Sequence, residues 1–162
     1  MRGTPFRIGP AVAGADIADT ARLFQAYAAS LDVDLGYQGF AAELAGLPGG
    51  YAPPGGALLL ARGLGGEALG CVALRPMAAE GCCEMKRLYV APAGRGLGLG
   101  RALVDAVVGA AAGLGYREMR LDTLPSMDAA IALYRSAGFR PIAPYYDTPV
   151  AGTLFLARRL SA

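Results

Sequence analysis

Apolar and polar residues follow one another along the chain in patterns that predict seven strands and four helices. In the stretch 14–31, Ile17, Phe24 and Ala28 recur at the spacing of one helix face. The end of the stretch 82–90 is apolar on both faces, which is typical of a central strand. The predicted strands are 6–12, 57–63, 67–77, 82–90, 116–124, 139–146 and 152–160, and the predicted helices are 14–31, 40–47, 101–115 and 126–138.

The order of these elements predicts a single domain of mixed α/β class that spans residues 1–162. The central part of the chain reads as strand, glycine-rich loop, helix and strand. A length of 162 residues argues for one domain and is sufficient to bury a core. Because 54% of the residues are hydrophobic, the sequence excludes a disordered chain.

Charge is low and scattered along the chain. The net charge is +2 and no basic block occurs, so we expect no nucleic-acid partner. The longest uncharged apolar run, which follows Asp105, is too short to cross a bilayer, and we expect no membrane association. The stretch "MRGTPFRIGP" lacks the apolar segment of a signal peptide, which predicts a cytoplasmic location.

The supply of reactive side chains restricts the chemistry. The chain has no histidine, which excludes Ser-His-Asp triads and Cys-His pairs. Cys71, Cys82 and Cys83 form no CxxC motif, so we expect reduced, semi-buried strand residues and no metal site. Acid or base catalysis therefore falls to Glu, Asp, Tyr, Cys, water or the single lysine, Lys86.

A glycine-rich loop, Arg95-x-x-Gly98-x-Gly100, separates the strand 82–90 from the helix 101–115. A helix start presents unpaired N–H groups and a positive dipole end, and both favour an anion. Glycine lets a phosphate approach the main chain closely. The loop matches neither a Walker loop nor a dinucleotide GxGxxG fingerprint. A diphosphate is the ligand that we expect here.

Three segments together resemble the GNAT superfamily of N-acetyltransferases. They are the loop just described, which follows "RLYVAP", the stretch "LGYREMRLDT", and "AIALYRSAGF", which is similar to the family's helix-to-strand signature. The resemblance is strong over residues 82–142, whereas the first half agrees only in the order of its elements. It implies a GNAT-like acyl-CoA N-acyltransferase fold, with a mostly antiparallel central sheet, two splayed parallel strands and flanking helices.

The resemblance implies that acetyl-CoA is the co-substrate. Its pyrophosphate is expected on the amides of residues 95–100, and its pantetheine arm between the strands "EMKRLYV" and "REMRLDT". A main-chain N–H near Leu88 or Tyr89 then polarises the thioester carbonyl. Ser126 is expected to contact CoA or, equally, to cap the following helix. The implied cofactor-binding residues are Leu88, Tyr89, Val90, Arg95, Gly96, Leu97, Gly98, Leu99, Gly100, Arg101 and Ser126.

Two catalytic roles follow from the resemblance. Tyr134 stands at the family's signature tyrosine and is expected to donate a proton to the leaving sulfur, with packing under the CoA arm as the alternative. Glu84 is expected to act as the base, with an ion pair to Arg87 or Arg120 as the alternative. Further candidates for the base are Asp122, Asp147 and water.

The acceptor site is expected between the loops 31–40 and 144–152. Its expected substrate-binding residues are Tyr37, Arg87, Tyr145 and Tyr146. Asp32, Asp34 and Asp147 stand in the same loops, and carboxylates and phenols both suit a small protonated amine. The alternative for each of these loop residues is a solvated side chain without a role in binding. Arg75 or Arg87 is a candidate to hold a substrate carboxylate.

We therefore expect an acetyl-CoA-dependent N-acetyltransferase that acts on a small amine or an amino-acid-like molecule. A protein or peptide N-acetyltransferase and a non-catalytic acyl-CoA-binding sensor are the alternatives. The sequence leaves open whether the chain forms a homodimer.

Overall fold

The computed structural model describes residues 5–12 and 14–160. Its strands are β1 (Phe6–Pro10), β2 (Ala57–Gly63), β3 (Ala68–Pro76), β4 (Cys82–Val90), β5 (Glu118–Thr123), β6 (Arg140–Pro141) and β7 (Leu154–Arg159). Its α-helices are α1 (Gly14–Ser30), α2 (Phe40–Ala45), α3 (Leu99–Gly113) and α4 (Asp128–Ser136), and short 3-10 turns occupy Leu35–Gln38, Gly49–Tyr51 and Pro92–Gly94.

The described strands form one sheet of seven in the order β1-β2-β3-β4-β5-β7-β6. Every neighbouring pair is antiparallel except β4 and β5, which are parallel. This mixed sheet with flanking helices confirms the predicted fold class. Among the described residues, no helix combines the length and the apolar character that crossing a membrane requires.

The sheet buries apolar side chains on both faces. On one face, α3 contributes Leu103 and Val107 to a core that includes Leu59 of β2. On the other face, α1 contributes Phe24 to a core that includes Leu58 of β2. Successive strand residues point to opposite faces, which explains why the run "ALLLA" of β2 is apolar throughout.

β4 and β5 separate after a short paired stretch. They pair over three positions, the last of which joins Glu84 to Arg120. Further along β4, Arg87 and Leu88 both stand opposite Val72 of β3, which is a β-bulge. Arg87 has a φ of 61°, an unusual conformation for a residue with a side chain. The parting strands leave backbone and side chains exposed in a cleft between them.

Several predicted boundaries were wrong. The predicted strand 139–146 is reduced to Arg140–Pro141, since Pro141 and Pro144 lack the N–H that a longer ladder needs. The last helix begins at Asp128 with Met127 at its N-cap, so Ser126 does not cap it. Ser126 instead lies in a turn that the Met127 N–H closes onto the Leu124 carbonyl, at 3.1 Å.

The three cysteines are free, as predicted. Cys71, Cys82 and Cys83 lie on the central strands β3 and β4, and each is buried rather than semi-buried. Burial raises the pKa of the Cys71 thiol to about 12, so this sulfur stays protonated at neutral pH.

Candidate active site

The cleft between β4 and β5 is a narrow cavity of about 30 Å³. Leu88 lines its β4 side, Asp122 and Thr123 line its β5 side, and Tyr134 of α4 closes it. Because strand pairing ends at Glu84 and Arg120, the cleft opens directly beyond that pair. The unpaired strand backbone beyond that pair can hydrogen-bond an extended ligand. The cavity itself has room for only about two water molecules, so the strands must part further to admit such a ligand.

The glycine-rich loop lies at the end of β4 and opens α3. Gly96 and Gly98 have φ values of 80° and 74°, a conformation that residues with side chains rarely adopt. Gly98 is the N-cap of α3 and offers no side-chain hydrogen bond. The N–H groups of Leu99, Gly100 and Arg101 meet no carbonyl in the described part of the chain.

These residues fit a diphosphate. The unpaired N–H groups at the helix start supply donors and positive potential at one place. A Cβ built on Gly98 meets no atom within 4 Å, so the space above the loop is open. Arg95 and Arg101 are exposed beside it, and Arg101 pairs with Asp105 at 3.1 Å. The loop thus combines room, donors and charge.

Tyr134 is a buried residue, 7% exposed, that lines the cleft. Its ring packs edge-on against Phe139, with the centroids 6.0 Å apart. No described residue forms a hydrogen bond with its hydroxyl. Burial, with smaller contributions from Tyr27 and Asp122, raises the pKa of Tyr134 above the usual value of 10.0. The hydroxyl therefore keeps its proton at neutral pH and is free to donate it.

A larger pocket of about 500 Å³, the acceptor pocket, lies next to the cleft. Its lining residues come from the turn Leu35–Gln38, from β3 and the turn that follows it, from β4, and from the loop before β7: Tyr37, Gln38, Arg75, Pro76, Met77, Ala78, Glu84, Lys86, Tyr145 and Tyr146. Tyr37, Gln38 and Lys86 also line the cleft, so the two cavities meet at these side chains.

Glu84 is held by two partners in this pocket. Its Oε1 accepts from the Nε and Nη2 of Arg75 at 3.0 and 2.9 Å, and its Oε2 accepts from the Tyr145 hydroxyl at 2.7 Å. The side chain of Glu84 is 6% exposed and that of Arg75 is 41% exposed. The sequence proposed Arg87 or Arg120 as the alternative partner of Glu84, whereas the structure pairs it with Arg75.

Asp122 and Lys86 form a second buried pair, between cleft and pocket. Lys86 Nζ lies 3.4 Å from Asp122 Oδ1 and 3.4 Å from Gln38 Oε1. The Tyr146 hydroxyl donates to Asp122 Oδ2 at 2.6 Å. Asp34 accepts from the Gly36 N–H at 2.8 Å and caps the turn that carries Gln38. Residues distant in sequence thus form one network.

Arg87 is turned away from the acceptor pocket. Its Nε and Nη2 contact both carboxylate oxygens of Glu43, at 2.9 and 3.0 Å, and its Nη1 donates to Gln38 at 2.8 Å. Its guanidinium also lies over the Phe40 ring, 5.2 Å from the centroid. The sequence placed Arg87 among the substrate-binding residues, whereas the structure places Arg87 in the lining of the cleft and Arg75 in the lining of the acceptor pocket.

The structure brings most of the expected acceptor residues together. Tyr37, Tyr145 and Tyr146 line the acceptor pocket, while Asp32 and Asp147 are exposed and outside its lining. The sequence analysis did not identify Gln38 as a residue of the site, and it did not place Lys86 in the lining of the cleft and the pocket. One signal for Lys86 was available, because a residue two positions after Glu84 on a strand points to the same face.

Comparisons with known proteins agree on one family. The model of the acetyltransferase (GNAT) family matches residues 22–139. An uncharacterized N-acetyltransferase of Schizosaccharomyces pombe is 43% identical over 146 residues, which is 90% of this chain and 90% of the relative.

Solved structures share the fold. An acetyltransferase of the GNAT family from Staphylococcus aureus superposes with a TM-score of 0.79 at 19% identity, over 96% of this chain and 99% of the other. A phosphinothricin acetyltransferase from Sinorhizobium meliloti, solved in complex with acetyl-CoA, gives a TM-score of 0.70 at 21% identity, over 96% of this chain and 89% of the other.

Proposed function

The chain belongs to the acetyltransferase (GNAT) family and is an acyltransferase, and from this premise we propose that it moves an acetyl group from acetyl-CoA to the amine of a small, amino-acid-like molecule. The observation that carries this proposal is the meeting of the cleft and the acceptor pocket at Tyr37, Gln38 and Lys86. Direct transfer between two bound molecules requires such a shared boundary, because the reacting atoms must approach to about 3–3.5 Å.

The donor side of the proposal rests on the glycine-rich loop and the cleft. The amides at the start of α3 are suited to the pyrophosphate, and the free backbone of β4 beyond Glu84 is suited to the pantetheine arm. A backbone N–H near Leu88 stabilises the negative charge that develops on the thioester oxygen. Tyr134 lies in the same cleft and donates its proton to the departing sulfur.

The acceptor side rests on the size and polarity of the pocket. A volume of about 500 Å³ lies in the range of pockets that hold small molecules. Glu84 engages the Nε and Nη2 of Arg75, which leaves Nη1 of this half-exposed side chain for a second anion. A carboxylate on the acceptor fits that position, while Pro76 and Met77 provide an apolar wall.

A matched screen tests this proposal. The purified chain is incubated with acetyl-CoA and one acceptor at a time, and released thiol and acetylated product are measured together. The panel pairs each α-amino acid with the amine that lacks its carboxylate, and adds short peptides. We expect transfer to amino acids and weaker transfer to the matched amines. Transfer to peptides alone would contradict the small-molecule acceptor.

A further inference from the structure

Two tyrosine–carboxylate pairs stand side by side where the acceptor pocket adjoins the cleft: Tyr145, Tyr146 and Glu84 line the pocket, and Asp122 lines the cleft. Tyr145 donates its hydroxyl hydrogen to Glu84, at 2.7 Å, and Tyr146 donates its hydrogen to Asp122, at 2.6 Å. The two rings are neighbours, with centroids 5.7 Å apart. Because each hydroxyl hydrogen is already used, the phenol oxygens can only accept further hydrogen bonds. Gln38 Nε2 already lies 3.5 Å from Tyr146 Oη, and the second lone pair of that oxygen suits another N–H donor such as an amine.

The two carboxylates differ in their surroundings. Glu84 lies at the last paired position of β4 and β5, where two nitrogens of Arg75 hold one of its oxygens. Asp122 lies beyond that position and lines the cleft together with Tyr134. Its cationic partner, Lys86, stands 3.4 Å away and makes no close paired contact. Compared with Glu84, Asp122 is therefore nearer to the expected thioester and is held less tightly by its cationic partner.

We propose that Tyr146 and Asp122 together accept the proton that the acceptor amine must lose before it attacks. This inference rests on the proposed function. Tyr146 Oη takes a proton from the bound ammonium group while its own hydrogen passes to Asp122 Oδ2. The amine is then neutral, Tyr146 is unchanged and Asp122 is protonated until it releases the proton to solvent.

The remaining proton transfers balance through Tyr134. The amine nitrogen forms a bond to the thioester carbon, the carbon–sulfur bond breaks, and the sulfur takes the hydroxyl proton of Tyr134. The second proton lost by the nitrogen returns to the Tyr134 oxygen. In net terms, the ammonium group and the thioester become an amide, a thiol and one proton in solvent.

The groups that face Asp122 come from several elements. They are Tyr27 of α1, Tyr37 of the turn Leu35–Gln38, Lys86 and Arg87 of β4, Tyr134 of α4, and Tyr145 and Tyr146 of the loop before β7. Burial and the hydrogen bond to Asp122 raise the pKa of Tyr146 above the usual value of 10.0. The Tyr146 hydroxyl is thus protonated at neutral pH, as a relay requires.

The pH dependence of Tyr146→Phe tests the relay, because the variant keeps the ring and removes only the hydroxyl. We expect kcat/KM at neutral pH to fall by about 10²–10⁴-fold, and the deficit to shrink as the pH approaches the pKa of the acceptor amine. Acetyl-CoA affinity measured by calorimetry should stay unchanged, since Tyr146 lines the acceptor pocket and not the cleft.

Tyr145→Phe is the matched comparison, and Asp122→Asn is the second variant. Tyr145→Phe should raise KM and keep the wild-type pH dependence, whereas Asp122→Asn should reproduce the pH dependence of Tyr146→Phe. A Tyr146→Phe enzyme with the wild-type pH dependence would overturn the relay and leave the proposed function standing. If the wild-type chain transferred acetyl to none of the acceptors, both the relay and the proposed function would be overturned.

Discussion

Two tyrosine hydroxyls of the site differ in what they can do. The Tyr134 hydroxyl has no hydrogen-bond partner among the described residues, so its proton is available to a group in the cleft. The Tyr146 hydroxyl donates its hydrogen to Asp122 and has Gln38 Nε2 at 3.5 Å, so one lone pair of its oxygen is left for a donor in the acceptor pocket. A tyrosine side chain thus suits the role of an acid at Tyr134 and the role of a proton relay at Tyr146.

Replacing Tyr134 with Phe tests the acid role. The ring and its contact with Phe139 remain, and only the donor to sulfur is lost. We expect turnover to fall by about one to three orders of magnitude, within the range for general acids, with little change in acetyl-CoA affinity. Tyr116→Phe is the control, because its hydroxyl contacts the Gly55 carbonyl away from the site. Wild-type turnover in Tyr134→Phe, where chemistry limits the rate, would leave only a packing role.

Replacing Glu84 with Gln distinguishes the role of Glu84 from the role proposed for Asp122. The sequence alone predicted Glu84 as the base, whereas its contacts with Arg75 and Tyr145 favour a role in shaping the acceptor pocket. We expect KM for the acceptor to rise and the decline of kcat/KM toward low pH to remain as in the wild type. If the variant instead loses activity most at low pH, where the amine is charged, Glu84 is the base after all.

At the scale of elements, the sequence predicted what depends on local signals. The central strands 57–63 and 82–90 and the glycine-rich loop were recognisable because burial and backbone conformation leave their mark on neighbouring residues. The prediction of a strand over 139–146 was wrong because two prolines interrupt an otherwise apolar run. The pairing of Lys86 with Asp122 has no local signal, since β5 is placed beside β4 only by the fold.

Gly98 tests the anion site at the start of α3. Its φ of 74° makes Val a strained replacement, so loss of binding in Gly98→Val would mix backbone strain with a blocked site. Gly98→Asn is the better probe, because Asn tolerates this conformation and still places a side chain over the loop. We expect its acetyl-CoA affinity, measured by calorimetry, to fall by at least about tenfold, or about 1.4 kcal/mol.

Gly115→Asn is the control for that measurement. Gly115 also has a positive φ, of 89°, and a Cβ there meets no atom within 4 Å, but it lies beyond the opposite end of α3. Equal acetyl-CoA affinity in the Gly98→Asn and Gly115→Asn variants would mean that the loop does not hold the pyrophosphate.

At the scale of the whole molecule, a buried ion pair ties α2 to the sheet. Arg87 and Glu43 have side chains only 2% and 12% exposed, and their contact holds α2 against β4. Burial opposes the charge on Glu43, but the hydrogen bonds and charge of Arg87 prevail and lower the pKa of Glu43 below 4.5. The pair therefore stabilises the fold above that pH, and its contribution is lost as the pH falls through the lowered pKa.

Glu43→Gln tests this contribution. The variant leaves Arg87 buried without a countercharge, and we expect the free energy of unfolding at pH 7 to fall by about 3 kcal/mol. The difference from the wild type should shrink in denaturant titrations as the pH falls below 4.5, because Glu43 takes up a proton in the unfolded chain before it does so in the folded one. Asp105→Asn removes an exposed pair with Arg101 and should change stability by less than about 1 kcal/mol. Equal losses in both variants would contradict a special role for the buried pair.

Direct observation of acetyl transfer tests the central claim. The purified chain is incubated at neutral pH with acetyl-CoA and an α-amino acid, and mass spectrometry follows the acceptor while a thiol reagent follows free CoA. We predict equal amounts of N-acetyl product and thiol, both strongly reduced in Tyr134→Phe and absent without the acceptor. Thiol release without an acetylated acceptor, or binding of acetyl-CoA without transfer to any amine in the panel, would contradict the account.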